Sequence, residues 1–149
     1  MSEPPALEIA RRCVATMWAA DRASVAMGMR LVAVGVGRAE VAMVVTETMV
    51  NGWGRCHGGY LASLADTAFA AACNTYDEVT VAAGFDISFV VACVVGDELT
   101  ARATERVRRG RTGIYDVRIT RTDGDGGDEV VAEMRGRSHS LGQPILEGG

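Results

Sequence analysis

The sequence predicts an α+β fold in which an antiparallel sheet of five to six strands wraps around one long buried helix. Residues 60–76 are apolar on almost every helical face, which is typical of a buried helix. The segments on both sides of it alternate apolar and polar residues, as antiparallel strands do. One sheet face must be covered and only one long helix is available, so the sheet should wrap around that helix. The length of 149 residues fits a single domain over residues 1–149.

A short amphipathic helix and a hairpin precede the long helix. Leu7–Ala20 is predicted as the helix, because its apolar residues recur at three- and four-residue steps: Leu7, Ala10, Val14, Met17 and Trp18. From Met27 to Val45 the period changes to two, with a turn at 37–39, which predicts a β-hairpin. Residues 1–6 and 142–149 are expected to be loose ends.

Four strands should follow the long helix. Val79–Val95 is almost uncharged and rich in valine and phenylalanine, which favours a central strand. Glu98–Arg109, Ile114–Thr122 and Glu129–His139 alternate, and Asp123–Asp128 is an evident turn between the last two.

Composition and charge exclude several classes of protein. The net charge of -4 and a pI near 5.2 argue against a nucleic-acid partner. No apolar run approaches the roughly 20 residues of a membrane helix, and the first ten residues do not resemble a signal peptide, so we expect a cytoplasmic protein without a membrane partner. The four cysteines have no CxxC spacing, which favours small buried thiols over a metal site.

Asp66 is the most informative residue, because it lies in the middle of the apolar helix. Burying an unpaired carboxylate costs several kcal/mol, so this one should be either paired or functional. The structural alternative is a salt bridge to an arginine or a hydrogen bond from Ser63 or Thr67.

His57-Gly58-Gly59 offers backbone N–H groups at the start of the same helix, where four donors lack intrahelical partners. Such a site can hold an oxyanion, although the glycines could also serve only a tight turn. Gly58 and Asp66 are about 12 Å apart along one helix, so a single acyl carbon cannot touch both. If they cooperate, the second must come from another copy, which predicts a homodimer with antiparallel helices and two equivalent sites.

The motifs Asn51-Gly-Trp-Gly-Arg-Cys-His57-Gly58-Gly59, Leu64-Ala-Asp66-Thr-Ala68, Gly110-Arg-Thr-Gly113 and Gly136-Arg-Ser-His139 resemble those of the phenylacetate-pathway (PaaI-type) hotdog thioesterases. The resemblance runs from about Thr46 to Gly142. It implies a hotdog fold, a homo-oligomer with active sites at the dimer interface, and no cofactor.

The resemblance also implies roles for individual residues. Asp66 would be the general base or nucleophile, and the Gly58 amide of the partner subunit would polarise the thioester carbonyl. Asn51 and His57 match positions that orient the water and the carbonyl, although His57 could equally be a helix-entry residue. The predicted substrate-binding residues outside the arginine segment are Gly59, Gly84 and Phe89.

Coenzyme A would lie along the segment that matches Arg108, Arg109, Gly110, Arg111, Thr112 and Gly113. Seven of the fifteen arginines fall between Arg102 and Arg121, and arginine suits phosphate groups. The alternative is an exposed strand face that charge keeps soluble.

Three positions depart from the family pattern. Trp53 stands where many relatives have a second histidine, Ala82, Ala83 and Gly84 stand where relatives often have a serine that holds water, and Ala92 replaces a usual proline. Asp86 lies in the same strand, and its side chain could face either an arginine or the substrate.

The predicted function is hydrolysis of acyl-CoA thioesters, with aryl-acetyl groups of the phenylacetyl or hydroxyphenylacetyl type, or medium acyl chains, as substrates. Met49, Tyr60 and Phe89 are expected to line the acyl pocket. A non-catalytic acyl-CoA binding or sensing module is the alternative, and it would have no use for the Asp66 carboxylate. A hydratase is disfavoured, because His57 and Asp66 cannot pair within one helix.

Overall fold

The computed structural model describes residues 4–122 and 126–147. It contains three helices, a short 3-10 turn and six strands within these ranges. The elements follow in the order α1 (Pro5–Ala19), α2 (Arg22–Ala26), β1 (Arg30–Gly35), β2 (Arg38–Val44), the 3-10 turn (Glu47–Met49), α3 (Gly58–Cys73), β3 (Thr80–Phe89), β4 (Glu98–Arg109), β5 (Thr112–Thr122) and β6 (Asp128–Ser140).

The strands form one antiparallel sheet in the order β1-β2-β4-β5-β6-β3, and α3 packs across its inner face. This confirms the predicted α+β fold with a sheet around one helix. Leu64 and Phe69 of α3 are fully buried, and the Phe69 ring lies 5.5 Å from that of Tyr115 on β5. Gly136 on β6 makes this close approach possible, since a Cβ there would lie 2.5 Å from the Phe69 ring.

Two helices form the N-terminal part. α1 starts with Pro5 at its first turn, two residues earlier than predicted, because proline fits where no N–H donor is required. α2 was not predicted: Asp21 caps it by accepting hydrogen bonds from the backbone N and the Oγ of Ser24. The Ser24 hydroxyl in turn lies 3.2 Å from that of Thr67, which fastens α2 to α3 beside Asp66.

The prediction of a central strand over Val79–Val95 is wrong for the single chain. The strand ends at Phe89, and β3 pairs only with β6, so it forms an edge of the sheet. Most of its side chains are at least partly exposed, among them Val81 and Phe89. Phe85 and Ile87 pack against the core, but the outer edge of β3 pairs with no other strand in the described part of the chain.

The prediction that α3 is buried on every face also needs correction. One stripe along the helix is only half-buried or exposed: Gly59, Ala62, Ser63, Asp66, Thr67 and Ala70. The helix ends at Cys73 rather than at Tyr76, because the Asn74 side chain donates to the Ala70 carbonyl and bonds both backbone groups of Thr80. Small apolar residues alternate with polar ones on this stripe, so the sequence did not reveal that the sheet leaves it uncovered.

The predicted loose ends are partly ordered. Residues 5–6 belong to α1, and the N–H groups of Ile145 and Leu146 both donate to Asp77 Oδ1. Residues 1–3, residues 148–149 and positions 123–125 of the predicted turn lie outside the described residues.

All four cysteines are buried free thiols, as predicted. In the described ranges, no helix has the length and apolarity needed to cross a bilayer.

Candidate active site

The loop before α3 is closed by the side chain of Asn51. Its Oδ1 accepts hydrogen bonds from the backbone N–H groups of Trp53 and Arg55, at 2.9 and 3.1 Å, while its backbone N donates to the Arg55 carbonyl. The carbonyl oxygen of the side chain is therefore occupied within the loop. Its Nδ2 has no acceptor among the described residues and remains available to a substrate or a water molecule.

His57 is the helix-entry residue of α3. Its Nδ1 accepts the Gly59 N–H at 2.9 Å, so the imidazole caps the helix. The N–H of Gly59, which was predicted to bind substrate, is therefore already hydrogen-bonded within the chain. The Gly58 N–H has no acceptor in the described part of the chain and is the free donor at this helix end.

Phe89, the last residue of β3, lies directly against Gly58. A Cβ on Gly58 would be 3.0 Å from the Phe89 ring, so a larger residue here requires the exposed ring to shift slightly. Beside them is an open apolar groove of about 270 Å³. Its lining residues are Arg55, Cys56, Gly58, Leu61, Phe89, Val90, Val91, Ala92 and Cys93.

The groove contains one of the three residues that were predicted to line an acyl pocket. Phe89 does line it, but Met49 is buried in the core and Tyr60 does not border the groove. The residues that sequence reasoning missed, Leu61 and Val90–Cys93, come from the helix and from the segment after β3. The apolar run beyond Phe89 was their only sequence signal, and that run is equally typical of a continuing strand.

Asp66 projects from the half-buried stripe of α3. Burial raises the pKa of its carboxyl above the usual value for aspartate, and no cation in the described ranges opposes this effect. Neither predicted structural partner is present: Ser63 Oγ donates to the Gly59 carbonyl, and Thr67 bonds Ser24. Over residues 4–122 and 126–147, the Asp66 carboxylate has no hydrogen bond or ion pair.

The two elements that carry these groups run antiparallel to each other. Gly58 meets Phe89 at one end, and Asn74 bonds Thr80 at the other. Asp66, midway along α3, is therefore level with the middle of β3. There Gly84 faces away from the helix, with the Arg137 guanidinium over it, and Asp86 pairs with Arg137 at 3.4 Å on the outer face. In this chain the Arg137 guanidinium therefore covers the outer face of Gly84.

The predicted CoA segment is the tip of the β4–β5 hairpin, with Gly110 in the left-handed conformation (φ 60°) that the turn requires. Arg108 is already engaged: it stacks over the Tyr76 ring at 4.0 Å and pairs with Glu78 at 3.6 Å. Gly113 is buried, and a Cβ there would lie 2.6 Å from Ser138 Oγ, which makes it a packing residue. Thr112 is exposed at the start of β5.

The predicted basic strip is largely neutralised by cross-strand pairing. Five of its seven arginines contact carboxylates: Arg102 with Glu40, Arg106 with Asp116, Arg108 with Glu78, Arg118 with Glu133, and Arg121 with Asp97 and Glu129. For these five arginines, the pairing fits the alternative of a charged strand face, and CoA binding by Arg108 stays a prediction. Arg109 and Arg111, at the hairpin tip, have no anionic partner within the described ranges.

Comparison with known proteins gives the same architecture. A model of the thioesterase superfamily matches residues 54–127. The acyl-coenzyme A thioesterase PaaI of Escherichia coli (strain K12) is 41% identical over 129 residues, which cover 87% of this chain and 89% of that protein.

Two solved structures are similar over most of the chain. The structure of E. coli PaaI from the phenylacetic acid degradation operon aligns with a TM-score of 0.87 and 38% identity, covering 93% of this chain and 97% of that one. A variant of the phenylacetic acid degradation protein PaaI from Thermus thermophilus aligns with a TM-score of 0.75 and 31% identity, covering 81% and 100%. The chain therefore belongs to the thioesterase superfamily, as a thioester hydrolase of the PaaI-type hotdog group.

Proposed function

We propose that the protein hydrolyses acyl-CoA thioesters, with Asp66 of one protomer and the Gly58 amide of the other acting on the same thioester. The half-buried, unpaired Asp66 carboxylate is the observation that carries this proposal. A structural carboxylate at such a position would have found a partner, and a binding module would have no use for it.

The uncovered surface of the chain supports a dimer. The half-buried stripe of α3 and the unpaired edge of β3 lie along the same side, and an edge strand with apolar side chains is a template for pairing with another strand. A two-fold axis on this side places the α3 helices antiparallel and brings Gly58 of each toward Asp66 of the other. In that dimer β3 lies inside a continuous sheet, which explains why this edge strand is rich in apolar residues.

The chemistry follows from these groups. Asp66 takes a proton from a water molecule while the water oxygen bonds to the thioester carbonyl carbon. Alternatively, the Asp66 carboxylate attacks that carbon itself, and water hydrolyses the resulting mixed anhydride to the free acid after the thiolate has left. The carbonyl oxygen becomes an oxyanion and accepts the Gly58 N–H bond, which is worth about 3 kcal/mol of transition-state stabilisation. The C–S bond then breaks, and the thiolate of CoA leaves and takes up a proton. Asn51 Nδ2 is placed in the same loop to orient the water or the carbonyl. No cofactor takes part.

The groove beside Gly58 is the proposed acyl pocket. Its lining is apolar apart from Arg55, and its volume of about 270 Å³ accommodates a single aromatic ring or a medium alkyl chain. We therefore propose aryl-acetyl-CoA thioesters, such as phenylacetyl-CoA or hydroxyphenylacetyl-CoA, as substrates.

Thiol release from a panel of aryl- and alkyl-CoA thioesters tests this function. We expect aryl-acetyl substrates to be preferred, and Asp66→Ala to abolish hydrolysis while CoA still binds. CoA binding without hydrolysis of any thioester would identify a binding module instead. An unchanged rate in Asp66→Ala would remove this carboxylate from the mechanism.

Arg111 provides a separate test of the CoA segment. Arg111→Glu should raise KM for acyl-CoA about tenfold, because it replaces an unpaired cation at the hairpin tip by an anion. Hydrolysis of the corresponding N-acetylcysteamine thioester, which has no phosphate, should be unaffected. Arg22→Glu makes the same charge change on α2 and is the control. Equal damage to both substrates would argue against a phosphate contact.

A further inference from the structure

The groove beside Gly58 is lined by one charged residue, Arg55. Its other lining residues, from Cys56 to Cys93, carry no charge at neutral pH. The Arg55 side chain is exposed, so it lies at the rim of the groove. Its guanidinium has no hydrogen bond and no carboxylate partner in the described ranges. Most arginines of the sheet are paired, whereas this cation is open to a ligand that enters the groove.

The backbone of Arg55 is fixed relative to the groove. Its N–H donates to Asn51 Oδ1 at 3.1 Å, and its carbonyl accepts the Asn51 N–H at 2.7 Å. The next residue, Cys56, donates its N–H at 2.8 Å to the carbonyl of Cys93, which also lines the groove. The loop is therefore tied both to itself and to the groove wall. A fixed backbone presents the guanidinium to the groove and lowers the ordering cost of binding.

The charges around the groove favour an anion. The Gly58 N–H is unpaired in the described chain and lies at the N-terminus of α3, the end of a helix that carries partial positive charge. Asp97 is the acid that acts on the groove wall: burial, and then the Asp97 charge, raises the pKa of the Cys56 thiol. Asp97 is itself paired with Arg121 at 3.0 Å, which offsets its charge. Arg55 therefore remains as the unbalanced charge at the groove.

We propose that the enzyme hydrolyses thioesters whose acyl group ends in a carboxylate, such as CoA monothioesters of medium-chain dicarboxylic acids, and that Arg55 binds this carboxylate. The inference rests on the proposed function and deepens it, because it concerns the far end of the acyl group in the same groove. With the thioester carbonyl on the Gly58 N–H, the methylene chain lies against Leu61 and Phe89, and the terminal carboxylate meets the guanidinium at the rim.

This arrangement suits both charged and neutral acyl groups. Arginine binds a carboxylate through a pair of parallel hydrogen bonds, and at an exposed rim the carboxylate keeps part of its hydration. A neutral acyl group still fits, since the exposed guanidinium stays hydrated when the groove holds no anion. The reaction itself is unchanged: water adds to the carbonyl carbon and the C–S bond breaks.

The ratio of kcat/KM for hexanedioyl and hexanoyl thioesters tests the proposal, measured with CoA and with N-acetylcysteamine as the thiol. In the wild type the ratio should be about fivefold in favour of hexanedioyl with both thiols, and high ionic strength should reduce it. Arg55→Gln should bring the ratio close to one, and Arg55→Glu should invert it. Arg55→Lys keeps the charge without the planar fork and should retain part of the preference. Losses of folded protein cancel in the ratio.

Arg12→Glu is the matched control, because it makes the same charge change on an exposed position of α1 that does not border the groove. It should leave the ratio at the wild-type value. A wild-type ratio of one or less would overturn the proposal, as would a preference that Arg55→Gln leaves unchanged. A preference seen only with CoA thioesters would also overturn it, since the contact would then lie outside the acyl groove. Failure of the proposed function is a separate outcome, in which phenylacetyl and hexanoyl thioesters are not hydrolysed either.

Discussion

At the residue scale, the Asp66 carboxylate and the Gly58 N–H have no partner in the described ranges, whereas the polar groups around them are hydrogen-bonded. The Gly59 N–H bonds His57, the Asn51 carbonyl oxygen closes its loop, and Ser63 bonds the helix backbone. Against this background, an unpaired carboxylate and an unpaired N–H on one helix are the groups left for a substrate. Both residues could be singled out from the sequence, because an acid among apolar side chains and a glycine at a helix start are local signals, and their roles stay predictions.

Asp66→Asn should make the protein more stable at neutral pH and far less active. Burial raises the pKa of Asp66 in the folded state above its unfolded value, so the folded chain binds this proton more tightly. Ionisation therefore costs stability above the folded-state pKa, and the cost vanishes below the unfolded value of about 3.9. Tm of Asp66→Asn should exceed that of the wild type near neutrality, with the difference shrinking as the pH falls. Hydrolysis should drop about 10²–10⁴-fold.

A lower Tm for Asp66→Asn at every pH would instead mean that the carboxylate stabilises the fold through a partner.

At the scale of elements, the bounds that follow from alternation were well predicted, and the relations between strands were not. β4 was predicted as Glu98–Arg109 and is found there. α2 has only five residues and no periodicity to detect. The pairing of the arginines could not be foreseen, because it depends on register: Arg118 meets Glu133 only because β5 and β6 align these two positions. Sequence shows which residues a strand contains, but not which carboxylate lies opposite.

The contact between α3 and the sheet depends on Gly136. Gly136→Ala should lower the free energy of unfolding by about 1–3 kcal/mol, because the new Cβ would lie 2.5 Å from the Phe69 ring in a packed core. Urea denaturation measures this change. Gly52→Ala is the matched control, since nothing lies within 4 Å of its Cβ and its backbone is not left-handed, so it should stay within about 0.5 kcal/mol of the wild type. Equal effects of the two substitutions would mean that the Gly136 contact is not limiting.

At the scale of the whole molecule, the surface of a single chain favours assembly with a second copy. Its sheet ends in an apolar edge strand, and its helix shows a half-buried stripe that contains the acid. Sequence patterns could not locate this surface, because an apolar strand at an interface and one in a core have the same composition. In the proposed dimer, a second copy completes both the sheet and the site.

Ala62→Arg should separate the protomers. Ala62 lies on the stripe between Gly59 and Asp66, so a two-fold axis there would bring two guanidinium groups together. Sedimentation should show a monomer in place of the wild-type dimer or a higher oligomer, and hydrolysis should fall at least about 10²-fold with loss of the partner's donor. Ala19→Arg, at the exposed end of α1, should change neither. A fully active Ala62→Arg monomer would show that one chain holds a whole site.

Mixing two inactive variants tests the shared site most directly. Asp66→Ala lacks the acid, and Gly58→Pro lacks the N–H while keeping a residue that a first helical position tolerates. The half-exposed Phe89 ring can shift to admit the proline. After the two proteins exchange subunits, half of the dimers are mixed and each of these has one intact site, so about one quarter of wild-type activity should return. If the mixture of folded, exchanged dimers stays inactive, Asp66 and Gly58 do not act across the interface.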